Sequence, residues 1–139
     1  MRIFFDVDLT IIGQDGSLRP GTRQLFLRLV DEGHEVYVWS GFGERWDDLR
    51  RHDLHEIVHG VYRKPLTRMY ASHEEWGLPF RPDFVVDDHP GPAVYMGGIN
   101  VEPYIDRHAA ATDKEMDRVY EAIVVALERR ACDEGQPGT

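Results

Sequence analysis

The spacing of apolar residues changes several times along the chain, and each change predicts an element. Residues 2–6, "RIFFD", carry a short continuous apolar run without alternation, the mark of a strand covered on both faces. Residues 11–21, "IIGQDGSLRPG", hold three glycines and a proline and predict a hairpin or flap. Over 22–32, Leu25, Phe26, Leu29 and Val30 fall on one helical stripe, with Gly33 as its stop. Residues 35–39, "EVYVW", predict a second strand ending at Ser40. A short polar helix is expected over 43–54, a strand over 56–62, and a helix over 66–77 stopped by Gly77 and Pro79. "PDFVVDD" at 82–88 predicts a strand that closes on two acids. Residues 89–104, rich in Gly and Pro, predict a long loop with a short strand near 98–102. Met116, Val119, Tyr120, Ile123, Val124 and Leu127 repeat at helical spacing within 113–130, and 133–139 read as a disordered tail.

Strand and helix alternate with no repeat and no internal linker. That order predicts an α/β fold: a three-layer α/β/α Rossmann-like sandwich around a mainly parallel sheet, one domain over 1–132 followed by the 133–139 tail. In such sheets the ligand site lies beyond the carboxyl ends of the strands. Asp6 and Asp8, Ser40, and Asp87 and Asp88 fall at those ends, and Lys64 follows the third strand. The acids therefore leave the sheet at its working edge, where their desolvation can be offset by a cation, hydrogen bonds or water.

Composition narrows the function. The 139 residues, 42% hydrophobic, suit one ordinary core. A net charge of −9 argues against nonspecific nucleic-acid binding, which needs a basic face. A phosphorylated substrate, small or macromolecular, stays open, because a metal ion and one or two bases can reverse the local field. Cys132 is the single cysteine, which excludes an intramolecular disulfide and a thiolate zinc site. The apolar run after Arg2 stops at Asp6, so no secretory leader is expected, and no run approaches the roughly 18 residues of a membrane span. The expectation is a cytoplasmic protein without a membrane partner, its oligomeric state open.

The strand-end residues can supply a phosphoryl-transfer site. Such a reaction depends on positioning and electrostatics, because charge spreads over the equatorial oxygens of the transferred group. A carboxylate nucleophile splits it into two steps, and a hard cation such as Mg2+, with oxygen ligands, makes the approach of two anions tolerable. Asp6 fits the nucleophile and first metal ligand. Asp8 fits the group that protonates the leaving oxygen and later activates water, and its backbone carbonyl can also reach the metal. Asp87 and Asp88 can complete the cation site. The Ser40 hydroxyl, with backbone N–H groups such as that of Gly41, fits a phosphate-oxygen holder, and Lys64 can neutralise nucleophile and phosphoryl group.

In order, D-x-D-x-T after an apolar strand (Asp6, Asp8, Thr10), Ser40 at the next strand end, Lys64-Pro65, and the pair Asp87-Asp88 resemble the four motifs of the haloacid dehalogenase-like (HAD) hydrolase superfamily. The resemblance spans roughly residues 3–90. It implies a Mg2+-dependent phosphatase working through an aspartyl-phosphate on Asp6, with Asp8 as general acid/base, since the second acid is typical of the phosphatases. Thr10, Ser40, Gly41 and Lys64 would form the substrate-binding set. Within the closing pair it favours Asp88 as the direct metal ligand and Asp87 as a partner through water or a hydrogen bond. The flap at 11–21 is about ten residues, and 40–64 leaves room for only a helix and a strand, which implies a capless, open site. Substrate choice would then fall to Phe42, Glu44, Arg45 and Trp46, and to the stretch from His89 to Tyr104. Two other readings compete: a receiver-like phosphoacceptor domain, in which the acidic pair should close the first strand, and a noncatalytic HAD-fold module that binds a partner.

Overall fold

Successive residues of the central strands face opposite layers of core, which explains the unbroken apolar runs. The computed structural model describes residues 1–65 and 72–135. Five strands, β1 (Arg2–Asp6), β2 (Glu35–Ser40), β3 (Gly60–Arg63), β4 (Phe84–Asp87) and β5 (Gly98–Asn100), form one parallel sheet in the order β3-β2-β1-β4-β5. The helices are α1 (Thr22–Asp31), α2 (Trp46–Arg51), α3 (Pro90–Met96) and α4 (Glu115–Glu134), with a 3-10 turn at Arg107–Ala109.

Ile3, Phe5, Val36, Val38, Phe84 and Val86 join a core with Leu25, Phe26 and Leu29 of α1 and Met116, Val119 and Ile123 of α4. Phe4, Tyr37, Trp39 and Val85 form a second core with Leu78 and with Met96 of α3. There the Phe4 ring stacks on Tyr37 and meets Trp39 edge-on, each at 4.9 Å. Each fully buried side chain of this size contributes about 1.5–3 kcal/mol, so a strand sandwiched between helices needs apolar residues on both faces. The expected three-layer parallel sandwich is what the chain forms. Among the described residues no helix is long and apolar enough to cross a membrane.

The flap is a minimal hairpin. Ile12 and Leu18 make one antiparallel bridge, Arg19 N–H donates to the Ile11 carbonyl at 2.7 Å, and Gly13 N–H to the Ser17 carbonyl at 2.9 Å. No cap domain is inserted among the described residues.

Several elements differ from the pattern-based reading. The 89–104 stretch is not one long loop: Pro90–Met96 is helical, because Pro90 and Pro92 lie in the first turn, where no N–H has an intrahelical partner. The strand expected over 56–62 begins only at Gly60, since Ile57 and Val58 N–H both turn back to the Leu54 carbonyl. The helix expected over 43–54 shrinks to Trp46–Arg51. The helix expected over 66–77 falls partly outside the described residues, and its end, 73–77, is turn. Helix α4 runs on to Glu134, past the start of the expected tail, whose residues 136–139 also lie outside the description.

Gly98 opens β5 with φ +144°, and a Cβ there would overlap the Val85 carbonyl oxygen and reach within 2.6 Å of the Val85 nitrogen. Its neighbour Gly97, at φ +85°, has open space around the same position. Gly97→Ala is therefore expected to lower stability by about 1–3 kcal/mol, the cost of its φ 85°, ψ 143° backbone alone, and Gly98→Ala by more, since a clash is added. Urea unfolding of the two variants checks the ranking.

Candidate active site

The strand order reverses direction between β1 and β4, so the crevice expected of open α/β sheets falls at their carboxyl ends. Phe5 pairs with Val86, which sets Asp6 beside Asp87. On the other side Ser40 pairs with Arg63, and the Lys64 N–H donates to the Ser40 carbonyl at 2.9 Å. Parallel register thus delivers four of the predicted residues to one edge.

Lys64 lies between two of them. Its Nζ donates to Asp6 Oδ1 at 3.0 Å and to Asp87 Oδ2 at 2.9 Å, with all three side chains buried. The other oxygen of Asp87 accepts the His89 N–H at 2.9 Å. Thr10 Oγ1 lies 3.1 Å from Asp6 Oδ2 and 3.1 Å from Asp88 Oδ1, and accepts the Asp88 N–H at 3.0 Å. Its single proton is shared between two carboxylates. Asp6, Asp87 and Asp88 each present an oxygen within 4.8 Å of the others.

The loop after β1 makes this convergence possible. Thr10, Ile11 and Ile12 N–H groups all turn back to the Val7 carbonyl, at 3.0–3.2 Å. Leu9 takes φ 63°, uncommon without glycine, and is held on both sides: its N–H donates to Ile12 O at 2.7 Å and its carbonyl accepts from Tyr104 N–H at 2.8 Å.

Charge is out of balance here. Burial first, and the neighbouring Asp87 charge second, push the Asp6 carboxyl up to about 7, against the pull of Lys64. Burial likewise raises Asp87, opposed by Lys64 and the His89 N–H. Burial alone would lower Lys64, but Asp6 and Asp87 outweigh it and hold the ammonium charged. Among the described residues the one lysine ammonium at the cluster does not balance three carboxylates, and the ligand atoms on offer are hard oxygens, so the set fits Mg2+.

Asp8 does not join this cluster. Its two oxygens accept a bidentate pair from Arg45, Nη1 to Oδ2 at 2.7 Å and Nη2 to Oδ1 at 3.1 Å. Arg45 Nη1 also reaches Ser40 Oγ at 3.3 Å, and Nε donates to Asp48 Oδ2 at 2.6 Å. Ser40 Oγ accepts the Phe42 N–H at 3.2 Å, and Gly41 lies in the turn between Ser40 and α2. Phe42 itself is 86% exposed at the rim.

Arg19 escaped the sequence reading, where it was one polar residue of a flap. It is buried, pairs with Asp113 through Nε at 3.0 and 3.1 Å, and donates to the carbonyls of Thr10 at 3.1 Å and Glu102 at 2.6 Å. Its carboxylate partner lies 94 residues away, so no local pattern announces it.

No family model matches the chain, and no curated protein matches it. Among solved structures it is similar to the NMR structure of the core domain of a "putative phosphoglycolate phosphatase" from Streptococcus pneumoniae TIGR4. The TM-score is 0.53 at 14% identity, covering 87% of this chain and 95% of that one. At this identity the likeness shows a shared parallel α/β fold.

The Asp6 shift has a definite sign. Its folded-state value of about 7 lies above the ordinary 3.8, so its contribution to stability is complete below 3.8 and lost as pH rises through about 7. Chelator-treated protein is expected to melt lower at pH 8 than at pH 5. Asp6→Asn should melt higher than the parent at pH 8, with the gap closing toward pH 4, as calorimetry across that range would record.

Proposed function

We propose that the chain is a magnesium-dependent phosphoester hydrolase of the HAD type, acting through an aspartyl-phosphate on Asp6. The observation that carries this reading is the convergence of Asp6, Asp87 and Asp88 around Lys64 and Thr10 at one sheet edge. The resemblance of the four motifs supports it, and the structural neighbour's description as a phosphatase is consistent with it.

Asp6 and Asp88 would hold Mg2+, with the Asp8 backbone carbonyl as a further oxygen ligand. Asp87 has Lys64 on one oxygen and the His89 N–H on the other, which suits a supporting role. When bound, the ion supplies Lewis-acid stabilisation of the phosphoryl oxygens and offsets the carboxylate charge. Lys64 then neutralises the attacking carboxylate and the group it attacks, while Ser40 Oγ and the turn N–H groups from Gly41 onward orient a phosphate oxygen. Thr10 fixes the orientation of the Asp6 and Asp88 carboxylates.

Asp6 attacks phosphorus and the bond to the leaving oxygen breaks, that oxygen taking its proton from Asp8. In the second step water gives its proton to Asp8 and attacks phosphorus, and the bond to Asp6 breaks to restore the free carboxylate. With no cap domain among the described residues, the ester would be reached from solvent past the exposed Phe42 and the side chain of His89.

Asp6→Asn is expected to reduce turnover of p-nitrophenyl phosphate by about 10³-fold or more with the far-UV circular dichroism unchanged. Chelation should abolish turnover and added Mg2+ restore it. Undiminished activity of the Asn variant would refute the covalent route. No turnover across phosphorylated metabolites, peptides and end-phosphorylated oligonucleotides, with Mg2+ present, would instead favour a noncatalytic module.

A further inference from the structure

Arg45 connects three groups through one guanidinium. Nε is tied to Asp48, Nη2 to Asp8, and Nη1 to both Asp8 and Ser40 Oγ. The two carboxylates differ in setting. Asp48 is 20% exposed and belongs to α2, the helix that Arg45 itself precedes, so this contact anchors the side chain at its base. Asp8 is 43% exposed, and the pair it makes is the outward half of the fork. Asp8 is the more exposed partner, so water can take over the carboxylate as it leaves the fork, which lowers the cost of exchanging it for another anion.

A guanidinium recognises carboxylate and phosphate with the same two-pronged geometry, and a phosphoryl dianion carries twice the charge of a carboxylate. Ser40 Oγ, the expected holder of a phosphate oxygen, already lies 3.3 Å from Nη1. We propose that Arg45 is a binding residue for the substrate's phosphoryl group, masked by Asp8 in the free protein, and that the phosphoryl group exchanges with Asp8 on the fork. Arg45 keeps its anchor on Asp48 during the exchange. Both Asp8 oxygens, occupied in the free protein, are then released toward the ester. The inference rests on the hydrolase reading only in taking the Ser40–Lys64 edge as the phosphoryl site.

The test is binding of inorganic phosphate by isothermal titration, with Mg2+ in every sample, to the parent, Arg45→Gln, Asp8→Asn and the double variant. Arg45→Gln should weaken binding about tenfold or more, the loss of charge-assisted hydrogen bonds. Asp8→Asn should tighten it about threefold or more in the parent, by removing the carboxylate that competes for the fork. Most of that gain should vanish in the Arg45→Gln background, where only the general effect of one fewer negative charge remains. An Asp8→Asn effect of equal size in both backgrounds overturns the proposal, as does an affinity indifferent to Arg45→Gln or an absence of phosphate binding by the parent. If circular dichroism shows Arg45→Gln unfolded, Arg45→Lys replaces it in the cycle: it keeps the charge without the fork and should recover only part of the coupling. Coupling in a protein that hydrolyses no phosphoester sinks the hydrolase reading and leaves this one standing. Hydrolysis with additive effects does the reverse.

Discussion

A single ammonium group shared by two buried carboxylates governs the working edge of this fold. Lys64 is 8% exposed, and neither Asp6 nor Asp87 has an equally strong alternative partner among the described residues. Buried charges persist only when paired and hydrogen-bonded, and here the pairing is incomplete: among the described residues, the three acids meet the Lys64 ammonium, the Thr10 hydroxyl and the His89 N–H, with the His89 ring 3.9 Å from Asp88. The large apolar cores on either face of the sheet supply the stability that tolerates this deficit. On the proposed reading the same imbalance would be relieved by a cation, so stability and ion binding would be opposed at the same three side chains.

Much of this was legible in the sequence because it depends on strands. An apolar run of three or more residues ending in an acid marks a strand end whatever the rest of the chain does, and parallel register then brings such ends together. Asp6 and Asp87 needed nothing beyond that rule, whereas Lys64 is singled out by its place in the order of motifs. Residues whose neighbours come from loops were not legible. Arg45 is expected near the substrate from its place after Ser40, but its pairing with Asp8 is not, since only the folded turn after Ser40 turns its fork there. Arg19 reads as a turn residue. Helix α3 was hidden for another reason: proline signals a break inside a helix and a start at its first turn, and the letters alone do not say which position they occupy.

The likeness to a solved core domain and the geometry of the site carry different kinds of inference. A parallel sandwich hosts many chemistries, so the shared fold says where a ligand site should lie and little about what happens there. The proposed chemistry rests instead on the acids, the lysine and the hydroxyls. Arg45 adds a further element to that picture, because the carboxylate read as acid/base catalyst is engaged on both oxygens before any ligand arrives.

The Arg19 ties have a bearing on how the chain matures. Thr10, the pivot of the acidic cluster, has its carbonyl fastened to a guanidinium whose counter-charge, Asp113, enters only in the last quarter of the polypeptide. During synthesis the first strand and its loop leave the ribosome long before that counter-charge exists. A chain halted short of residue 113 would have to bury the arginine without its carboxylate or leave it in water. The ties that hold the β1 loop are therefore complete only once the segment leading into α4 is in place.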